Sequence, residues 1–141
     1  MPGIERTATG TWRGNLKGGN GTISATSGVL SGTPFTFATR FENARGTNPE
    51  ELIAAGQAGC YSMALSHHLS EQGHVPDEVT TTATITLDGG VINRMHLKTV
   101  GKVPGLDDAT FKRMAREAEQ KCPVANLLRG GLTITLDASL A

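Results

Sequence analysis

The stretch Ala54–Leu65, AAGQAGCYSMAL, carries no charged side chain. That constrains the fold more than any other feature of the chain. A helix without a charged face cannot lie along a surface, so this one is expected to be buried on most sides. GTNPEEL supplies its start: Asn48 or Thr47 as N-cap, Pro49 at the first helical position, Glu50 and Glu51 in the first turn. Leu52, Ile53, Gly56, Cys60, Met63, Ala64 and Leu69 then recur near helical spacing, and Gly73 is a natural stop.

The flanks supply what could cover such a helix. Thr9–Asn15, Thr22–Ala25 and Pro34–Phe41 read as strands, punctuated by GGNG (Gly18–Gly21) and Ser31–Thr33. In the third strand, alternation puts Phe35, Phe37 and Phe41 on one face and Thr36, Ala38 and Arg40 on the other. Beyond the helix, Glu78–Leu87 and Val91–Val103 read as a hairpin turning at Asp88-Gly89-Gly90. An amphipathic helix is expected over Asp108–Lys121, with Phe111, Met114, Ala115 and Ala118 inward. Cys122-Pro123 breaks it, a short helix follows over Pro123–Leu128, and LTITLDASL closes the chain as a strand. Residues 1–141 are thus expected to form one α+β domain with antiparallel pairing around a long buried helix.

Composition narrows the function. Thirteen Lys+Arg balance thirteen Asp+Glu, and no basic-aromatic stripe is present, which argues against a nucleic-acid partner. No run approaches the roughly 20 apolar residues of a membrane span. MPGIERTATG lacks an apolar leader core, so a cytoplasmic location is expected. In that compartment two cysteines have two readings: inert buried thiols, or a transient redox pair. Cys60 sits in the uncharged helix, where a thiol stays inert unless a cation and an access path reach it. Cys122 precedes Pro123 and so caps a helix, where free N–H groups and the dipole favour a thiolate. The two are too far apart for CxxC chemistry, and the four histidines show no zinc spacing, so no metal or cofactor is implied. Glu50 and Glu51 are explained by the preference of acids for helix N-termini. Arg40 either faces solvent or points into a site. His67 and His68 follow Cys60 on the helix and are either its neighbours or ordinary surface and core histidines; Trp12, Tyr61 and Met63 read as core or pocket lining.

GTNPEELIAAGQAGCYSMAL followed by KCPVANLL closely resembles the OsmC/Ohr family. TWRGNLKGGNGTIS, SGVL, FTFATRFE and KVPGLD extend the similarity from end to end. TRFE, and the lack of a Gly-Arg-rich N-terminal loop, resemble the OsmC branch more than the Ohr branch.

The resemblance implies an intertwined homodimer, two sheets wrapped around central helices, with active sites at the subunit interface. It implies a thiol peroxidase that reduces alkyl or lipid hydroperoxides to alcohols. Cys60 would be the peroxidatic cysteine, passing through a sulfenic acid to a Cys60–Cys122 disulfide, with Cys122 resolving. Glu50 matches the family's catalytic glutamate and Arg40 of TRFE its OsmC-type arginine. An arginine beside Cys60 would favour the thiolate, a glutamate would hold the arginine's fork in place, and an apolar lining would select organic peroxides. The reductant implied is a lipoylated protein. Two rivals differ in chemistry. A non-catalytic stress or lipophile-binding protein would form no stoichiometric disulfide. A cysteine hydrolase with His67 or His68 as base would have no use for Cys122.

Overall fold

A computed structural model describes residues 3–141 as an α+β chain of six strands and four helices. The strands form two three-stranded sheets. The chain divides into two compact units, one ending at Glu51 and one running from Leu52 to Ala141.

In the first unit β1 (Ala8–Arg13), β2 (Asn20–Ala25) and β3 (Thr33–Phe35) pair antiparallel in chain order. Gly21 of β2 sits beneath Trp12 and Phe35. A Cβ there would stand 2.6 Å from atoms of both rings, so only glycine lets these aromatics close over the strand.

The third strand stops sooner than alternation suggests. The expected strand Pro34–Phe41 is instead β3 plus a one-turn helix, α1 (Phe37–Phe41). The cause is Thr36: its hydroxyl accepts from Thr39 N, while Thr39 Oγ1 accepts from Thr36 N, a reciprocal cap that turns the backbone into a helix. Arg40 is therefore a helical residue, not one on a strand face.

The helix start at Pro49 is as expected: α2 spans Pro49–Glu71, and Asn48 Oδ1 accepts from Glu51 N at 2.8 Å. Asn48 also donates from Nδ2 to Thr39 O at 2.9 Å, which ties α1 to the start of α2. At the other end, His74 N bonds Leu69 O and Gly73 N bonds Ser70 O, with Gly73 at φ +85°. This paired closure needs a left-handed residue, and glycine supplies it without strain.

In the second unit β4 (Glu78–Asp88) and β5 (Val91–Lys102) form the hairpin. Gly89 and Gly90 both have positive φ, as a two-residue turn with the hairpin's own twist requires. Then follow α3 (Asp108–Lys121), α4 (Pro123–Leu128) and β6 (Thr133–Leu140). β6 adds to β5 in parallel, where antiparallel pairing had been expected throughout. The reason is the connection: two helices carry the chain back across the sheet, so the returning strand runs the same way as β5.

Tyr61, Leu65 and Leu69 of α2 pack with Met95 and Leu97 of β5 and with Phe111, Met114, Ala115 and Ala118 of α3. Burial of α2 is one-sided within this chain. Ala55, Gly56 and Gly59 are exposed on its other side, and Met63 keeps 76% of its surface.

Candidate active site

The sequence-predicted residues fall into two pairs, one in each unit. In the first, Arg40 grips Glu50 with two nitrogens: Nε donates to Oε1 at 2.9 Å and Oε2 at 3.2 Å, and Nη2 donates to Oε1 at 2.7 Å. Glu50 is only 5% exposed, so this fork takes the place of water around its carboxylate oxygens. The Arg40 side chain keeps about a third of its surface and lies over the Phe41 ring, 5.1 Å from its centroid. Position follows from the caps. Thr36 creates the turn that carries Arg40, and Asn48 fixes the turn that carries Glu50.

Beside this pair is a cavity of about 260 Å³ lined by Trp12, Leu16, Phe35, Thr36, Phe37, Arg40 and Phe41. Trp12 and Phe35 tilt together at 5.3 Å, Phe37 and Phe41 at 5.0 Å. Four of the six aromatic residues in the chain thus wall one pocket whose charged lining residue is Arg40. Such a pocket takes an apolar group and offers a guanidinium to a polar end. Reading Phe35, Phe37 and Phe41 as one strand face identified the aromatics, but the turn at Thr36 is what curves them around a space.

In the second unit, the Cys122 thiol donates to Cys60 Sγ at 3.2 Å. The two residues are 62 positions apart in sequence, and α3 ends where it delivers Cys122 to the middle of α2. Both thiols are free; Cys60 is half-buried and Cys122 fully buried. A modest rotation of either side chain would bring the sulfurs to bonding distance, about 2.05 Å.

The expected dipole effect at Cys122 is overturned. Burial pushes its thiol pKa up, and the neighbouring Cys60 sulfur pushes it further the same way. Hydrogen bonds from the backbone of Ala125 and Val124 pull it down without winning. α4 has only six residues, so the bulk of a helix dipole is missing, and desolvation dominates. In Cys60→Ser the largest cause, burial, remains. Alkylation of Cys122 in that variant, followed by mass against pH, is therefore expected to show a midpoint above the ~8.5 of a free cysteine. A midpoint at or below that value would contradict the burial argument.

One contributor escaped the sequence reading. Gln57, one turn before Cys60 on α2, is fully buried, and its Nε2 approaches Cys122 Sγ at 3.9 Å. Its Oε1 has no hydrogen-bond partner among the described residues. A buried acceptor left this way costs on the order of 1–3 kcal/mol. The signal was there: a single amide inside an otherwise apolar turn.

The histidines stand apart from the thiols. His67 is mostly exposed and pairs with Glu71 at 3.3 Å. His68 is buried, with Nε2 at 3.1 Å from Glu117 and Nδ1 accepting from Lys121 Nζ at 3.3 Å. Both ring nitrogens of His68 are engaged, which leaves neither to serve Cys60 as a base. No group of three or more metal-ligating side chains occurs among the described residues. No described helix is long and apolar enough to cross a membrane.

Comparison with known proteins bears on this geometry. Residues 42–137 match the model of a family described as OsmC-like protein. The chain is 44% identical over 135 residues to the peroxiredoxin OsmC of Escherichia coli (strain K12), which covers 93% of this chain and 94% of that protein. The crystal structure of an organic hydroperoxide resistance protein from Elizabethkingia anophelis matches along the full length of both chains at TM-score 0.77 and 25% identity. That of the organic hydroperoxide resistance protein OhrB of Bacillus subtilis matches at TM-score 0.67 and 28% identity, covering 94% of this chain and 98% of its own.

Proposed function

Because this chain belongs to the OsmC-like family, we propose that it is a thiol peroxidase reducing organic hydroperoxides, with Cys60 as attacking thiolate and Cys122 as its disulfide partner. The observation that carries this is the 3.2 Å approach of the two sulfurs, one half-buried and reachable, the other sealed. Sulfurs brought this close from positions so far apart in sequence are placed to couple.

The steps balance with these groups and water. The Cys60 thiol ionises to water, and its thiolate attacks the terminal oxygen of R–O–O–H; an S–O bond forms, the O–O bond breaks, and the alkoxide leaves and takes that proton back from water to become the alcohol. Cys122 then attacks the sulfenic sulfur. An S–S bond forms, the S–O bond breaks, and hydroxide leaves as water with the Cys122 thiol proton. A dithiol, on this reading that of a lipoylated protein, returns both cysteines to thiols by exchange. The aromatic pocket would hold the organic group, and the guanidinium of Arg40, held in place by Glu50, would meet the peroxide oxygens.

Glu50 and Cys60 lie ten residues apart on the continuous helix α2. At about 1.5 Å rise per residue that is roughly 15 Å along the axis, beyond the reach of the two side chains. The proposed site therefore combines Cys60 of one chain with Arg40 and Glu50 of a second, in a homodimer. The uncharged, exposed face of α2 at Ala55, Gly56, Gly59 and Met63 supports this, because it is a surface without charges to solvate. Residues 1–141 then act as one functional domain in each chain, in the cytoplasm.

The aromatic cavity also favours a second reading, a carrier of apolar molecules. Intact mass separates the two. After one equivalent of cumene hydroperoxide the reduced protein is expected to lose about two mass units as the thiols couple. An unchanged mass with both thiols free would instead fit the carrier and overturn the peroxidase.

A further inference from the structure

The resolving step has a difficulty that the reduced site makes visible. The Cys122 thiol hydrogen points at Cys60 Sγ, so it lies between the two atoms that must bond. Burial also keeps Cys122 as a thiol rather than a thiolate at neutral pH. When Cys60 becomes a sulfenic acid its sulfur turns electron-poor, and it no longer offers a good acceptor for that hydrogen. Another acceptor must draw the hydrogen out of the line of attack.

Gln57 is placed for this. Its carboxamide touches Cys122 Sγ through Nε2 at 3.9 Å, it is fully buried, and its Oε1 is without a partner among the described residues. The last torsion of a glutamine side chain is broad and nearly two-fold, so a half-turn exchanges nitrogen for oxygen at little strain. We propose that Gln57 is a positioning residue for disulfide formation: its carboxamide turns on oxidation of Cys60, and Oε1 accepts the Cys122 thiol hydrogen, freeing the sulfur lone pair to face Cys60. The unpartnered oxygen of the reduced state is then the acceptor held ready for the next one. Gln57 takes up no proton. The thiol proton leaves with the hydroxide as water when the S–S bond forms and the S–O bond breaks. The proposal rests on the peroxidase reading above.

Single-turnover kinetics test it in the intact protein. Reduced wild type, Gln57→Met and Gln57→Glu are mixed with one equivalent of cumene hydroperoxide and quenched at intervals. Dimedone capture then reports the sulfenic acid, and intact mass reports the disulfide. In Gln57→Met, which keeps length but offers only a weakly accepting thioether in place of the amide oxygen, sulfenic acid should form within about twofold of the wild-type rate, while the disulfide forms at least tenfold more slowly at pH 7. That deficit should shrink as the pH is raised, because ionisation of Cys122 removes the hydrogen that has to be moved. Gln57→Glu keeps an acceptor oxygen at the same reach and should be slowed less. Wild-type disulfide formation in Gln57→Met, a deficit that does not shrink as the pH is raised, or equal loss of both phases in the variants would each overturn the role of Gln57. Wild type that forms no sulfenic acid would instead sink the assignment of Cys60, and this proposal with it.

Discussion

Replacing Cys60 by serine is expected to abolish hydroperoxide reduction, whereas Cys122→Ser should consume roughly one equivalent and stop at the sulfenic acid. A serine hydroxyl is a far weaker nucleophile at neutral pH than a thiolate, so a fall of at least ~10³-fold is expected for the first variant. The asymmetry comes from surroundings rather than from chemistry, since the two side chains are the same. Cys60 is half-buried and reachable, while Cys122 has no exposed surface and its pKa is raised by burial. Cys122 therefore lacks both an access path for a peroxide and the charge that attack requires. In Cys122→Ser, dimedone should label Cys60 stoichiometrically, and added dithiol should restore turnover only by reducing the sulfenic acid directly. Multiple turnover by Cys60→Ser, measured with cumene hydroperoxide and dithiothreitol, would reverse the assignment of roles.

What could be read from the sequence was what local chemistry dictates. NPEE and Gly73 bound α2 because caps and left-handed residues act over a few positions. Gly89-Gly90 set the hairpin in the same way, since both positions need positive φ. The turn at Thr36 was hidden because alternating Phe35 and Phe37 fit a strand as well as they fit a strand end followed by a helix. Only the reciprocal bonds of Thr36 and Thr39 decide between them, and a Thr-x-x-Thr spacing is a weaker cue than the usual Ser or Thr followed by Glu. The parallel pairing of β6 depends on where α3 and α4 carry the chain, which no local signal encodes. The site divides along the same line. Cys60, Cys122, Arg40 and Glu50 stand in motifs that resemble a family, so they could be named without coordinates. Gln57 stood out in the sequence only as an amide in an apolar turn; its burial beside Cys122 and the raised pKa of that thiol depend on residues distant in sequence.

Mixed dimers of two nearly inactive variants are expected to recover activity, and this is the sharpest test of a site shared between chains. Cys60→Ser removes the proposed nucleophile. Glu50→Gln removes the charge that holds the Arg40 fork but keeps the size and an acceptor oxygen, so the first turn of α2 should still form. α2 is helical from Pro49 onward, so a reversal of the chain near Pro49 cannot bring Glu50 back to the Cys60 of its own helix. If each site takes Cys60 from one chain and Glu50 from the other, a dimer of one Cys60→Ser chain and one Glu50→Gln chain holds one intact site and one doubly damaged site. Co-unfolding the two variants and refolding them together should then give up to about half the wild-type rate per mixed dimer, provided the sites act independently. Differently tagged chains allow the mixed species to be isolated, so the rate can be assigned to it alone. If both residues served the same chain's site, every site in the mixture would stay damaged and no rate would return. Purified mixed dimers without activity would therefore exclude sharing. A chain that is monomeric at assay concentration yet fully active would exclude it more directly, because Glu50 would then lie some three turns of helix from the sulfur it is meant to serve.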